Sequence, residues 1–173
     1  MTTLHRSNMS TTHSDQKEFN DIDKASMLKF KREQAQVCFA EAIPLIECYR
    51  EEVKYYSNLK LKPGFDRYEQ LENAGALRAY TARLDEKLIG FAVFHFYPHL
   101  HFSEDIFALH DILYIMPEHR GFGQKFLTWC NDNLKKDGAS VIYYSVSLNY
   151  NYGPILKRLG FKLADHLYSK ELK

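Results

Sequence analysis

Long apolar runs and an excess of charge of either sign are both missing from this chain of 173 residues. No segment approaches the ~18 continuous apolar residues of a membrane-spanning helix, and the polar N-terminus lacks a signal-peptide core. We therefore expect a cytoplasmic protein with no membrane partner. Lys and Arg number 23 against 22 Asp and Glu, so the net charge is only +1. This balance gives no strong signal for nucleic-acid binding, which depends on excess basic residues.

Cysteine is also scarce, with three residues set far apart at Cys38, Cys48 and Cys130. No C-x-x-C pair indicates zinc or redox chemistry, and we interpret the three as buried free thiols of a reducing compartment. His99 and His101 have the spacing of one strand face, but the pattern fixes no third ligand, so we predict no metal site. Histidines of a loop that lines an acceptor cleft are the alternative interpretation.

The composition that is present, with 45% hydrophobic and 14% aromatic residues, is enough for one folded domain with a substantial core. Residues 1–25 are rich in Ser, Thr, Asn, Asp and His and poor in large apolar groups. This composition predicts a flexible N-terminal tail. The folded domain is then residues 26–173.

Apolar periodicity, glycines and prolines divide this domain into elements in the order β-α-α-β-β-β-α-β-α-β. They are a strand near residues 35–39, a helix from about Pro44, a helix over 66–74, a hairpin of strands 77–83 and 88–97, a strand over 106–115, a helix over 124–136, a strand over 141–146, a short helix over 152–159 and a last strand over 161–168. This order predicts an α+β fold in α/β/α layers, with a mixed sheet and helices on both faces.

One stretch, from Asp111 to Leu127, has the order of an anion site. An apolar run ends at a proline, a turn carries Gly121 and Gly123, and an amphipathic helix follows at once. Glycines let the backbone approach a phosphate closely, and the first N–H groups of a helix point at a bound anion. Arg120 adds a cation. The plain alternative is that these glycines only end a strand and begin a helix.

The sequence resembles the GNAT superfamily of acyl-CoA N-acyltransferases over roughly residues 34–172. Three motifs carry the resemblance: Leu113-Tyr114-Ile115-Met116-Pro117, then Arg120-Gly121-Phe122-Gly123, and Asn149 followed by Leu159-Gly160-Phe161. It implies the GNAT fold with a mostly antiparallel sheet, acetyl-CoA as acetyl donor, and direct transfer to an amine. Stretches 90–102, 111–114 and 168–172 are similar to members encoded by tailed bacteriophages, which implies a host cytoplasm.

The resemblance also implies which residues bind acetyl-CoA. Backbone groups of Leu113, Tyr114 and Ile115 would hold the pantetheine arm as a neighbouring strand would. The pyrophosphate would be bound by backbone N–H groups of Arg120, Gly121, Phe122, Gly123 and Gln124. Asn149 would hydrogen-bond the cofactor. The family's glycine pattern fits best when it starts at Glu118, which shortens the loop and places an acid near the pyrophosphate.

An acid or a histidine beside the acceptor is required because an alkyl ammonium must lose a proton before it attacks a thioester. Asp111 is our candidate, since an acid just before the matching strand segment lies at the acceptor side of GNAT enzymes that modify small amines. The alternative is a structural hydrogen bond at a strand irregularity. His110 should face the other way, because neighbouring strand residues alternate unless a bulge intervenes.

Many GNAT enzymes have a tyrosine that protonates the CoA thiolate four residues before the Gly-Phe pair, and Leu156 occupies that position here. Tyr152, four residues earlier on the same helical face, is our candidate substitute. Tyr150 is a less favourable one. The alternative is that these tyrosines only pack in the core.

We therefore predict an N-acetyltransferase that acts on a small-molecule amine or a protein lysine. A GNAT-fold module that binds acetyl-CoA or a partner without catalysis is the second hypothesis, supported by Leu156 and Glu118. A modifier of macromolecules, which would use loop 99–105 and the tail, is the third. The fold does not select the acceptor, and exposed edge strands would allow a homodimer.

Overall fold

The computed structural model describes residues 27–54 and 59–172, so the predicted tail lies outside the described residues. Within these ranges the chain forms five strands, four α-helices and one 3₁₀ helix. The strands are β1 (Leu28–Arg32), β2 (Leu77–Leu84), β3 (Lys87–His99), β4 (Phe102–Ile115) and β5 (Ala139–Tyr143). The helices are α1 (Ala35–Val53), α2 (Phe65–Asn73), α3 (Gly123–Lys136) and α4 (Gly153–Arg158), with the 3₁₀ helix Pro117–Phe122 between β4 and α3.

The five strands form one sheet in the order β1-β2-β3-β4-β5. Every neighbouring pair is antiparallel except β4 and β5, which are parallel. Apolar side chains of α1 and α2 pack on one face of the sheet, and those of α3 and α4 pack on the other. The predicted mixed, mostly antiparallel sheet with helices on both faces is confirmed.

The predictions for the first helix were wrong. Residues 35–39 belong to α1 rather than to a strand, and Pro44 lies inside the helix. Small residues explain the error, because Ala35, Cys38 and Ala42 complete the buried helical face while Val37 is exposed. The first strand is instead β1, whose Leu28 and Phe30 pack against the core.

The predicted last strand over 161–168 is also wrong. Phe161 follows α4, and residues 161–172 form neither helix nor strand. Leu163, Leu167 and Tyr168 are strongly exposed there. The run lacks steady alternation, because Asp165 and the following histidine interrupt its apolar positions, so no single face could be buried against the sheet.

Candidate active site

The sheet opens between β4 and β5. Their pairing ends at Leu109 and Tyr143, while β4 continues to Ile115. The Met116 N–H bonds to the Ile89 carbonyl on the β3 side. The N–H and C=O groups of successive residues point to alternate sides of a strand. Those of Leu113 and Ile115 therefore point into the opening. This leaves a stretch of strand edge that no neighbouring strand of the described chain uses.

A tyrosine occupies part of that edge. The Tyr150 hydroxyl accepts a hydrogen bond from the Ile115 N–H at 3.3 Å, and the Ile115 carbonyl accepts one from Arg120 Nε at 3.3 Å. The Arg120 guanidinium lies 4.8 Å from the Tyr150 ring centroid. Burial raises the pKa of Tyr150, although the Ile115 N–H and Arg120 oppose the shift. The phenol therefore stays protonated at neutral pH.

The predicted anion turn is formed by the 3₁₀ helix running directly into α3. Neither Gly121 nor Gly123 has a positive φ. A Cβ at Gly121 would meet nothing within 4 Å, so neither backbone conformation nor packing within the described chain requires this glycine. One predicted donor is used internally, because the Gly123 N–H bonds to the Arg120 carbonyl.

Arg120, the predicted cation of this turn, is paired with an acid of α1. Both Glu52 carboxylate oxygens accept hydrogen bonds from Arg120 Nη2, at 2.6 Å. Glu52 also accepts one from the Tyr114 hydroxyl at 2.9 Å. An anion at the turn would therefore meet an arginine whose charge Glu52 already balances.

Asn149 lies close to the same helix end. Its Nδ2 donates to the Val53 carbonyl at 3.0 Å, and its backbone N–H donates to the Ser147 hydroxyl. The side-chain amide therefore connects the segment after β5 to the last turn of α1. Tyr152 is buried beside this segment, and its hydroxyl donates to the Ser145 carbonyl at 3.1 Å. Tyr152 immediately precedes α4 as its N-cap residue, whereas Leu156 lies within the helix, and both side chains are buried.

Asp111 lies at a β-bulge. Ile112 pairs with Val93 and His110 pairs with Phe94, which leaves Asp111 without an opposite residue on β3. A bulge turns a side chain away from the regular pleat and is typical of functional edges. The sheet thus holds Asp111 at the head of the β4–β5 opening.

Two neighbours hold the Asp111 carboxylate. The Tyr68 hydroxyl donates to Oδ2 at 2.8 Å, and His95 Nε2 lies 3.6 Å from Oδ1. Burial opposes ionisation of Asp111, but the contacts with His95 and Tyr68 outweigh it, so the pKa of the carboxyl lies below its ordinary value. The same contact raises the pKa of His95, against burial. Asp111 is therefore anionic at neutral pH, and a third of its side chain remains exposed at 32%.

His110 faces the opposite side of the sheet, despite the bulge. Its ring packs against Phe94, Tyr144 and Tyr152. Neither ring nitrogen has a hydrogen-bond partner within the described chain. Burial lowers the pKa of His110 to about 4, so the ring is neutral at pH 7.

A pocket of about 340 Å³ lies on the Asp111 side of the sheet, between α1, α2 and β4. Its lining includes Asp111 and Tyr68, together with Tyr49 of α1. The Tyr49 ring packs edge-on against Tyr114 and Tyr150, each at a centroid distance of 6.2 Å. These tyrosines form the boundary between the pocket and the open strand edge. A reactant in the pocket and one on the edge would meet near Asp111.

Sequence reasoning missed the partners of the predicted residues. Tyr68, His95 and Glu52 each contact a predicted site residue, and none stands in a motif. For His95, the hairpin register was a usable signal, because β3 must run beside β4 near Asp111. Tyr68 and Glu52 lie on helices whose docking no local pattern determines.

The cysteine prediction holds in part, because Cys38 and Cys130 are buried but Cys48 is exposed. Over residues 27–54 and 59–172, no cluster of three or more His, Cys, Asp or Glu side chains could hold a metal ion. In the same part of the chain, no helix has the length and apolar character needed to cross a bilayer.

Comparison with solved structures yields many similar folds. An aminoglycoside acetyltransferase from an uncultured soil metagenomic sample, in complex with sisomicin, is 18% identical, with a TM-score of 0.65 over 85% of this chain and 98% of that one. Glucosamine-6-phosphate N-acetyltransferase from Arabidopsis thaliana is 13% identical, with a TM-score of 0.61 over 84% and 99%. At these identities the likeness concerns the fold.

A third structure, a predicted acetyltransferase with acetyl-CoA from Clostridium acetobutylicum, is 16% identical, with a TM-score of 0.57 over 84% of this chain and 97% of that one. No curated protein sequence matches the chain significantly. A sequence profile described as the acetyltransferase (GNAT) family matches residues 45–161, from the middle of α1 to just beyond α4. Because this profile spans more than half of the chain, the protein belongs to the acetyltransferase (GNAT) family.

Proposed function

We propose that this protein transfers the acetyl group of acetyl-CoA to the nitrogen of an amine that binds beside Asp111. The observation that carries the proposal is the position of Asp111, which lies at a bulge between a pocket and a strand edge that no other strand of the described chain pairs with. The edge supports binding of an extended amide-containing arm, because such arms add to a sheet by backbone hydrogen bonds. The pocket leaves room for an acceptor.

The residues present fit acetyl-CoA, whose thioester supplies the acetyl group and whose thiol is the leaving group. We assign Leu113, Tyr114 and Ile115 to the pantetheine arm, and Asn149 to a side-chain contact. The turn from Arg120 to Gln124, which includes Gly121, Phe122 and Gly123, is assigned to the pyrophosphate. The open space at Gly121 supports this assignment, because a missing side chain leaves the backbone approachable.

The acceptor is activated by Asp111 and His95 acting together. Asp111 is a weak base because its pKa is lowered, but its negative charge binds and orients an ammonium ion. The contact with Asp111 raises the pKa of His95, so its ring is a stronger base than the carboxylate and is the better proton acceptor. The amine gives one proton to His95, forms the C–N bond as the C–S bond breaks, and loses its second proton to the departing sulfur.

The second proton passes through a tyrosine. Tyr152 remains our predicted general acid, although its hydroxyl points to the Ser145 carbonyl. The Tyr150 hydroxyl lies on the strand edge itself, bonded to the Ile115 N–H, and is the alternative donor. Both phenols are protonated at neutral pH, as an ordinary tyrosine is, and burial raises the pKa of each further.

Three finer assignments complete the proposal. We place the enzyme in the cytoplasm, and in an infected host if it is phage-encoded as the sequence resemblance implies. Its acceptor would be a small-molecule amine or a protein lysine. A homodimer would form through an edge strand of the sheet, β1 or β5. A module that binds acetyl-CoA without catalysis is the second candidate, supported by Leu156 at the usual tyrosine position and by the Tyr152 hydroxyl, which already donates to the Ser145 carbonyl.

Calorimetric titration with acetyl-CoA, beside CoA and ATP, tests the cofactor site. We expect micromolar binding that requires the pantetheine arm, and release of free CoA when an amine is added. Gly121→Val should weaken binding about 10-fold or more, because the side chain blocks approach of the pyrophosphate. Gly121→Ala, one methyl larger than the wild type, is the matched smaller step, and both variants should keep the wild-type melting temperature since the site is open.

The two candidate functions give different results. Binding of acetyl-CoA with no release of CoA for any amine would favour the non-catalytic module. Undiminished affinity in Gly121→Val would show that the pyrophosphate lies elsewhere. No binding at millimolar acetyl-CoA would refute both candidates.

A further inference from the structure

The pocket beside Asp111 has walls that are mostly apolar. Six apolar side chains line the pocket, contributed by α1, by the segment after α1 and by β4: Phe39, Ile46, Val53, Leu59, Leu61 and Ile112. A volume of about 340 Å³ is at the small end for ligand sites, which commonly measure about 300 to 1,000 Å³. The walls therefore favour one compact apolar body over a large polar one.

The charges around the pocket are unevenly distributed. Among the described residues that line it, Asp111 is the only acid, while Arg50, Lys60 and Lys62 are all basic. Arg50 also donates to the Leu59 carbonyl at 2.8 Å, which fixes its guanidinium beside the wall. Lys60 and Lys62 are exposed. The described lining thus carries one negative and three positive side chains.

The acid offers a place for one cation. Tyr68 already donates to one Asp111 oxygen and His95 lies against the other, so part of the acceptor capacity of the carboxylate is used. A single ammonium can share what remains. A second ammonium on the same molecule would find no carboxylate among the described lining residues and would lie near Lys60, Lys62 or Arg50, where like charges repel.

We infer that the acceptor is a primary amine on a compact apolar body, aromatic or branched aliphatic, with no second positive charge, and that polycations are poor acceptors. This inference rests on the proposed acetyl transfer and names its substrate class. The amine lies against Asp111, and the body lies against Phe39, Ile46 and Leu61. An uncharged or anionic far end points toward the lysines.

A comparison of three probe amines, each assayed separately, tests the inference. Phenethylamine represents the apolar monoamine, and spermidine and sisomicin represent polyamines. With acetyl-CoA held constant and release of CoA measured, kcat/KM for phenethylamine should exceed that for either polyamine by about 30-fold or more. Equal values, or preference for spermidine or sisomicin, would overturn the inference.

Charge reversal sharpens this result. The double variant Lys60→Glu, Lys62→Glu should reduce the preference for phenethylamine over spermidine by about 10-fold or more, because the repulsion becomes attraction. Lys135→Glu is the matched control, since α3 lies on the opposite face of the sheet, and should leave the ratio unchanged. An unchanged ratio in the double variant would contradict the assigned role of the lysines.

The apolar wall is tested separately. Leu61→Ala should raise KM for phenethylamine about 3-fold to 10-fold and leave spermidine unaffected, because only the apolar body contacts this side chain. Leu100→Ala, at an exposed position in the turn between β3 and β4, is the control for losing a surface leucine. Equal effects of Leu61→Ala on both amines would argue against the apolar contact.

A binding measurement separates failure of this inference from failure of the proposed function. Phenethylamine and spermidine are titrated by calorimetry into protein saturated with CoA, which needs no turnover. Preferential binding of phenethylamine without acetylation of any amine would support the pocket assignment and refute acetyl transfer. Acetylation of spermidine in preference to phenethylamine would support acetyl transfer and refute the pocket assignment.

Discussion

His110 and Asp111 are neighbours on β4, and their surroundings are opposite. His110 lies among aromatic rings with no hydrogen-bond partner within the described chain, whereas Asp111 contacts Tyr68 and His95. Both pKa values are lowered, but for different reasons, and with opposite effects on charge. Burial makes His110 neutral, while the contacts of Asp111 make it anionic. Of these two neighbours, only Asp111 is charged at neutral pH, and it lies on the side of the pocket.

The largest expected effect comes from removing that charge. Asp111→Asn is nearly isosteric but can no longer bind an ammonium by charge, so we expect turnover to fall about 100-fold or more. Affinity for acetyl-CoA should be intact, because the strand edge is unchanged. Steady-state release of CoA and calorimetry measure the two quantities. Unchanged turnover would remove Asp111 from the proposed role.

The buried, neutral His110 predicts how the stability of the protein depends on pH. The folded protein keeps His110 neutral down to about pH 4, whereas in the unfolded chain it takes up a proton near its ordinary pKa of 6.5. Unfolding therefore binds a proton between these values, and the free energy of unfolding falls as the pH decreases. From pH 7 to pH 5 this group alone should remove about 2 kcal/mol.

Urea denaturation of the wild type and His110→Leu at both pH values measures that contribution. The variant should lose about 2 kcal/mol less than the wild type on acidification, whatever its stability at pH 7. His101→Gln, at an exposed histidine, serves as the control and should behave as the wild type does. An equal loss in His110→Leu and the wild type would show that the ring is not held neutral.

A smaller effect is expected for the partner of Asp111 on β3. His95→Gln should lower kcat about 10-fold, because the amine loses its proton acceptor. In the wild type, activity should rise with pH through the raised pKa of His95, since only the neutral ring accepts a proton. The pH–rate profile of the variant should lack this rise. A variant that is slower but keeps the same rise would leave His95 only a positioning role.

The smallest effect concerns the hydroxyl that donates to Asp111. Tyr68→Phe removes this hydrogen bond, so the pKa of Asp111 should rise toward its ordinary value. Turnover at pH 7 should fall about 3-fold, because the still ionised carboxylate is no longer held in one orientation. Carboxyl chemical shifts during an NMR pH titration measure the pKa directly. Tyr97→Phe, on β3, is the matched control. A pKa of Asp111 that does not move would mean that His95 alone sets it.

The sequence predicted the part of the molecule in which local signals agree. An apolar run, Pro117 and the two glycines of the turn place the end of β4 and the start of α3 correctly, and the hairpin of β2 and β3 follows from its alternation. The bulge at Asp111 had no such signal, because it is a property of how two strands pair.

The errors and the omissions have different physical origins. The buried face of α1 is completed by small residues that a count of large apolar side chains overlooks. Tyr68 meets Asp111 across 43 positions of the chain, and Arg120 meets Glu52 across 68. Contacts at such separations depend on how helices dock on a sheet, and no local spacing determines this.

Glu52 connects the acceptor pocket with the proposed binding site of the acetyl donor. It lies on α1, whose residues Ile46 and Val53 line the pocket. Its carboxylate also accepts hydrogen bonds from Arg120 and Tyr114, near the proposed donor site. A donor that draws Arg120 away from Glu52 changes the constraints on the helix that the acceptor touches. Thermodynamic linkage makes any such effect reciprocal, so a donor that changed the affinity for the acceptor would have its own affinity changed by the same factor. In the proposed enzyme, Glu52 is thus the single carboxylate through which the two binding equilibria would be coupled.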